Sequence, residues 1–289
     1  MRIAALDIGG TAIKYGLWDG EQLTEQHETP SDIRSAKALV AQMESAVRSL
    51  GEVDAVGIST RGQVKGNGEI LFDNGPIPDY TGTPVKKILQ QALGIPVHVE
   101  NDVNAAAWGE ACKGAGKGHN DFLCLTFGTG IGGAIILNHQ LYRGANWSAG
   151  EFGAMQLFSQ KPAWNGEGGA YYESFASASA LVERVRIAVP SVTNGRQVCS
   201  NLEHPVVAPI VAEWVQNVSF GLSSLAHIFN PSLIVLGGGI LQNDDLFHRI
   251  ESCTRSQLMG GFECLSLAKT ELGNQAGMIG AALLAQATL

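Results

Sequence analysis

With 289 residues, 45% of them hydrophobic, 16% charged and 36 glycines, the chain has material for two packed α/β domains and does not fit a disordered or fibrous profile. A net charge of −8 argues against nucleic acid as a partner, because phosphate neutralisation drives that binding. No apolar run reaches bilayer length, Met1 leads straight into a strand pattern, and the five scattered cysteines (Cys112, Cys124, Cys199, Cys253, Cys264) suit reduced thiols, so no membrane contact and a cytoplasmic location are expected.

The first stretch, RIAALDIGGTAIKYGLWDG at 2–20, predicts two strands joined by a tight glycine turn, with a second turn at Asp19-Gly20. Gly9 and Gly10 let the backbone approach a ligand and aim N–H groups at phosphate oxygens, with Thr11 beside them. Asp7 suits a Mg²⁺ ion and Lys14 a phosphate; the alternative is a plain hairpin. Ser31 is the expected N-cap of a helix with apolar positions from Ile33 to Leu50. A buried strand at 53–60 ends at Arg61-Gly62, and a loop with a hairpin at Asn67-Gly68 fills 66–82. A short helix, Pro84 to Leu93, precedes the strand VHVE at 97–100.

That strand runs into Asn101-Asp102 at the start of an alanine-rich helix. Asp102 is therefore either a simple cap or a ligand-facing acid, since open α/β sheets bind ligands at the carboxyl ends of their strands. At 121–140 the first pattern returns as DFLCLTFGTGIGGAIILNHQ, with Gly128, Thr129, Gly130, Gly132 and Gly133 in the turn region. Two copies of a strand–glycine turn–strand unit predict two related halves facing each other across a cleft, with a nucleoside triphosphate between them. A loop from Leu141 to Gly153 carries Glu151 between glycines. Trp164, Tyr171 and Tyr172 are expected to pack the next region, and a helix to run from Ser174 to Val189. A long helix from Pro205 to Phe229 bears an apolar stripe that is either core or subunit interface. The strand at 233–236 opens into Gly237-Gly238-Gly239, which admits a planar ring near the backbone or simply makes a tight turn. A helix from Asp244 to Met259, a strand at 264–268 and a helix from Asn274 to Thr288 complete the chain, the last packing back on the first domain.

Taken together, DIGGT at 7–11, VENDVNAAAWGE at 99–110, LTFGTGIGGAII at 125–136, GEFGAM at 150–155 and IVLGGGI at 234–240 resemble the sugar-kinase branch of the repressor, open reading frame and kinase family. The resemblance implies two actin-like, ribonuclease H-like (hexokinase-type) α/β domains facing a cleft. Residues 1–109 with 274–289 would form the first, with the first phosphate loop and the catalytic acid; 110–273 would form the second, with the second phosphate loop and the nucleotide site. It implies ATP and Mg²⁺ as cofactors, Asp102 as catalytic base and Asp7 holding Mg²⁺ through water. Gly9, Gly10, Thr11, Lys14, Gly128, Thr129, Gly130 and Gly132 would bind phosphates, with Gly237, Gly238 and Gly239 near the adenosine. Asn74, Asn101, Asp102, Glu151 and Glu173 would bind the sugar.

Many relatives carry a zinc site built from a histidine and three cysteines, but Ala154 stands at the histidine position and no cysteine lies between Cys124 and Cys199, so no zinc is expected. In relatives that histidine also touches the sugar near C1 and C2, so the resemblance implies that Ala154 opens that side of the pocket. N-acetylmannosamine is the expected substrate, phosphorylated at the 6-hydroxyl, with a β-glucoside, glucose or another hexose as alternatives. A homodimer is expected. The family also contains sugar-sensing repressors, but no helix-turn-helix precedes Ile3 in this sequence.

Overall fold

The computed structural model describes residues 1–163 and 169–289. In chain order the first elements are β1 (Ile3–Ile8), β2 (Ala12–Trp18), β3 (Leu23–Pro30), α1 (Ala36–Ser49), β4 (Ala55–Thr60), β5 (Gln63–Val64), β6 (Ile70–Phe72), α2 (Val85–Leu93), β7 (Val97–Asn101) and α3 (Asp102–Lys113). Then come β8 (Phe122–Phe127), β9 (Ile131–Leu137), β10 (Gln140–Leu141), α4 (Tyr172–Ala176), α5 (Ala178–Ala188), α6 (Gly195–Cys199), α7 (Val207–Phe229), β11 (Leu233–Gly237), α8 (Asp244–Gln257), β12 (Ser266–Lys269) and α9 (Ala276–Gln286).

Two compact units result: Met1–Gly118 with Ile135–Ala149 and Glu271–Leu289, and His119–Ala134 with Gly150–Thr270. This division differs from 1–109 plus 274–289 against 110–273. One reason is an ion pair between Arg143 and Glu100 of β7, which ties residues beyond β10 into the first unit.

The first unit holds a sheet of order β3-β2-β1-β4-β7, antiparallel across β3, β2 and β1 and parallel across β1, β4 and β7. Alternation along β1 sends Ala4, Leu6 and Ile8 into a core with Leu39, Val40 and Met43 of α1 and Val85 and Leu89 of α2. Ile3 and Ala5 point the other way, into a core with Met278, Ile279 and Ala282 of α9. The last helix thus packs on the first unit, as expected. It lies close because a Cβ at Gly57 would overlap Ala281 O and one at Gly280 would overlap Ala105 O.

The second sheet has the order β10-β9-β8-β11-β12, with β8, β11 and β12 parallel. Three successive strands followed by two parallel ones occur twice, which is the internal duplication read from the two glycine turns and the ribonuclease H-like α/β class expected. The stripe of α7 is buried at Trp214, Val218, Leu222 and Leu225.

Three local expectations are corrected. The cap of α1 is Ser35, whose Oγ accepts from Ala38 N at 3.2 Å, and not Ser31. The helix expected at Ser174–Val189 is broken at Ser177, whose backbone is extended (ψ 159°), whose Oγ caps α5 and whose carbonyl accepts from Trp214 Nε1 at 2.9 Å. Tyr172 is buried as expected, its hydroxyl donating to Val218 O at 2.7 Å, but Tyr171 stays exposed; Trp164 lies outside the described residues.

Candidate active site

The pleat of β1 gives Asp7 the same face as Ile3 and Ala5, the α9 side. Register pairs it with Lys14 of β2 and Ser59 of β4. Ser59 Oγ donates to Asp7 Oδ1 at 2.7 Å, and a Cβ at Gly277, in the first turn of α9, would lie 3.0 Å from the same oxygen. Burial raises the Asp7 pKa, against the Ser59 hydrogen bond and the Lys14 charge, which lower it.

The glycine turn after β1 is closed by Gly9 N donating to Ala12 O at 3.0 Å. Ser31 anchors it, its N–H donating to Thr11 O at 3.0 Å and its Oγ to Gly9 O at 2.7 Å. The residue expected to cap a helix thus fixes the turn instead.

Asn101, at the junction of β7 and α3, caps the helix: its Oδ1 accepts from Val103 N and Asn104 N, each at 3.0 Å. Its Nδ2 donates to Gly62 O at 3.0 Å and to Asp102 Oδ1 at 2.9 Å. Since Asn101 does the capping, Asp102 is held by it and by Val103 N (2.9 Å) without being the cap itself. Burial raises the Asp102 pKa to about 6; the negative charge of Asp7 adds to this, while the Val103 N–H and the Arg61 charge oppose it. Behind this pair Glu100 is buried, its Oε1 accepting from Asn101 N and Asn104 Nδ2 at 3.0 Å each. Arg143 donates to Glu100 Oε2 from Nε and Nη2 at 2.8 and 2.6 Å, a two-pronged bond that fixes the end of β7.

Glu100, Arg143, Ser59 and Arg61 were not singled out by the sequence. The available signal was positional: Ser59 and Arg61 sit where a fully buried strand reaches the carboxyl edge of a parallel sheet. Asn74 is exposed, in a loop whose neighbours Asp73 and Gly75 lie against Arg61.

In the second unit β8 and β11 run parallel with Gly237 opposite Thr126, so Gly237, Gly238 and Gly239 stand beside the turn of Gly128, Thr129 and Gly130. Gly238 has φ +124°, and a Cβ there would overlap Phe127 O, so only glycine suits the position. Gly239 faces open space. Gly128 N donates to Gly130 O at 3.0 Å, closing this turn much as Gly9 closes the first. Helices brace it from behind: Ser179 N of α5 donates to Gly128 O at 3.2 Å, and Glu173 Oε2 accepts from Ile131 N at 3.1 Å. Glu173, expected to bind sugar, thus rests against the second glycine turn, where a Cβ at Gly130 would overlap it. Gly132 lies in β9, Glu151 is exposed, and Ala154 ends a short 3-10 turn with its side chain exposed.

A divalent cation fits the donor set of the first unit: two neighbouring carboxylates, Asp7 and Asp102, are both pushed toward protonation, which a bound cation would relieve. Among the described residues no helix is long and apolar enough to cross a membrane.

The ROK family model matches residues 3–288. The chain is 33% identical to a glucokinase of Streptomyces coelicolor, over 97% of this chain and 96% of that one. It is also 33% identical to a beta-glucoside kinase of Klebsiella pneumoniae, over 97% and 95% respectively. A solved structure of a ROK family glucokinase from Streptomyces griseus, in complex with glucose and AMPPNP, superposes with a TM-score of 0.84 at 32% identity, covering 99% of this chain and 100% of that one.

Proposed function

This chain belongs to the ROK family and is an ATP-dependent sugar kinase, and from that premise we propose that it phosphorylates the 6-hydroxyl of a hexose carrying a substituent at C1 or C2. The observation that carries the mechanism is Asp102, half-buried at the carboxyl end of β7, oriented by Asn101 and Val103, with its pKa raised to about 6. At neutral pH it is a carboxylate, poised nearer the working pH than an ordinary aspartate. An alcohol is far too weak an acid to be deprotonated by it beforehand. Asp102 orients the hydroxyl and takes its proton as the bond to phosphorus forms.

Mg²⁺, held by Asp7 through water, would neutralise phosphate charge. Gly9 and Gly128 use their N–H groups to close the turns, so the amides of Gly10 and Thr11, and of Thr129 and Gly130, are the ones left to phosphate oxygens. Lys14, beside Asp7 in the ladder, adds a positive charge. Gly132, at the start of β9, follows the second turn toward the phosphates, and Gly237, Gly238 and Gly239 offer bare backbone to the adenosine. Asn74, Glu151 and Glu173 supply acceptors for a polyhydroxyl ligand, while Asn101, spent on the helix cap, Gly62 O and Asp102, acts on the sugar by orienting Asp102. The exposed Ala154 leaves room beside Glu151, which supports N-acetylmannosamine or a β-glucoside over free glucose. We assign the enzyme to the cytoplasm as a homodimer without structural zinc.

A coupled ADP-release assay over N-acetylmannosamine, cellobiose, glucose, mannose and allose tests this reading. The expected result is Mg²⁺-dependent turnover with kcat/KM highest for one of the first two; a preference for glucose would remove the substituent from the proposal.

A further inference from the structure

Arg61 follows β4 directly, and its N–H reaches Ile8 O at 3.4 Å, so it is anchored to the strand that leads into the first glycine turn. Its guanidinium lies over that turn, with Nη1 3.0 Å from where a Cβ of Gly10 would stand. On its other side Gly75 offers only backbone, and a Cβ there would overlap the guanidinium. Nε donates to Asp73 Oδ1 at 2.7 Å, and the Asp73 side chain is only 2% exposed. Asp73 is itself tethered, its N–H donating to Thr81 Oγ1 at 3.0 Å.

Among the described residues this is the single hydrogen bond of the guanidinium, so Nη1 and Nη2 keep their donors on a side chain still 25% exposed. Asp73 Oδ2 is buried with no partner, which means the pair is engaged at one point only and the fork of Arg61 is not spent on it. The fold does not demand a side chain here. Matching Asp7 with Thr126 through the registers of the two sheets places Gly239 where the first unit has Arg61, and Gly239 faces open space.

We propose that Arg61 is a catalytic residue that grips the phosphoryl group in transit, with Asp73 as its positioning residue. The inference rests on the kinase reading above. In the step the sugar oxygen forms a bond to the γ-phosphorus and the bond to the β,γ-bridging oxygen breaks, its electron pair leaving with ADP. The hydroxyl proton passes to Asp102. Arg61 breaks and forms no covalent bond; its Nη1 and Nη2 donate to the equatorial oxygens, whose charge is shared between donor and acceptor at the midpoint. It lies over the first glycine turn, whose Gly10 and Thr11 amides are left to phosphate oxygens, so its free donors face the group those amides would hold.

The test compares the parent with Arg61→Lys, Arg61→Ala and Asp73→Asn in the ADP-release assay, with MgATP and MgADP binding followed by calorimetry. Loss of a preorganised donor pair predicts a fall in kcat of about 10²- to 10³-fold for both Arg61 variants. Sugar KM should stay within about threefold, on the principle that an interaction made only in the transition state shows in kcat. Guanidinium ion below denaturing concentration should restore part of the activity of Arg61→Ala and none of Asp73→Asn, which leaves the arginine in place but loosened and should lose about tenfold. Arg61→Lys keeps the charge opposite Asp73 and guards against a simple folding defect.

An Arg61→Ala enzyme within about threefold of the parent in kcat overturns the proposal. So does a loss carried by sugar KM and melting temperature with no response to guanidinium, which would make the pair a brace for the 73–81 loop. A parent that neither binds MgATP nor releases ADP with any sugar contradicts the kinase reading instead, and this proposal falls with it.

Discussion

The two glycine turns share one topology and differ in what surrounds them. In the first unit the strand before the turn carries Asp7, with Lys14 opposite it and Ser59, Thr60 and Arg61 along and just beyond the parallel neighbour. At the matching places the second unit has Thr126, Gly133 and the run Gly237, Gly238 and Gly239. The same framework carries Asp, Lys and Arg in one unit and, in the other, a threonine and four glycines. Side chains that change charge serve metal binding and proton transfer; bare backbone serves the close approach of a nucleotide. On the function proposed above, the difference would put the metal and the proton acceptor in the first unit and leave the second to hold ATP by backbone, together with the first turn's amides.

Making the first unit more like the second should abolish the chemistry. Asp7→Asn keeps the shape and an acceptor for Ser59 but removes the charge for Mg²⁺, and kcat/KM should fall about 10³-fold with melting temperature unchanged or raised. Steady-state kinetics over a Mg²⁺ series checks it; a loss under tenfold would mean the metal is held elsewhere.

The opposite change disturbs the bare unit. Gly238→Ala must place a Cβ against Phe127 O at φ +124°, and should cost about 3 kcal/mol in stability and raise the KM for ATP. Its counterpart Thr60 carries a side chain hydrogen-bonded to the Tyr80 hydroxyl at 2.7 Å, so the constraint belongs to the second unit alone. Denaturant unfolding with ATP kinetics decides; a variant as stable as the parent would mean the turn relaxes freely.

The crowding of acids has its own cost. Asp102 titrates at about 6 when folded, above the usual aspartate value, so its carboxyl destabilises the fold as pH rises through that value and is neutral in effect below about 4. Asp102→Asn should accordingly be more stable than the parent by about 2 to 3 kcal/mol near pH 8 and equal to it near pH 4. Thermal melts without Mg²⁺ across this range check the sign; an equal difference at both ends would remove the charge as the cause.

Ala154→His, in the second unit, should shift specificity only. Filling the space beside Glu151 predicts roughly tenfold discrimination against the more substituted sugar relative to glucose, with the KM for ATP unmoved. An unchanged ratio would move the specificity determinant to the 67–83 loop or to Glu173.

The duplication, the two turns and the junction at Asn101-Asp102 were legible because each is local: a glycine pair between apolar runs, or a polar pair between a strand and an alanine-rich helix. What was not legible depends on distant partners. Ser31 is the cap the sequence suggests, and it is taken out of that role by bonding across the chain to Gly9 and Thr11, which leaves the cap to Ser35. The break at Ser177 inside a helical run is set by Trp214, 37 residues away. Arg61 is an unremarkable charge after a strand until Gly10, Gly75 and Asp73 are brought around it. Glu100 reads as the last residue of a strand until Arg143 meets it.

The proposed separation of roles rests above all on the assignment of Asp102 as proton acceptor. Its most direct test is ADP release by Asp102→Asn with the best sugar of the panel, paired with calorimetric measurement of sugar binding. Loss of the base predicts a kcat lowered by about 10³-fold while sugar affinity stays within about threefold, because the amide preserves the shape and removes the acceptor. Turnover within about tenfold of the parent would contradict the assignment and move the proton to another group.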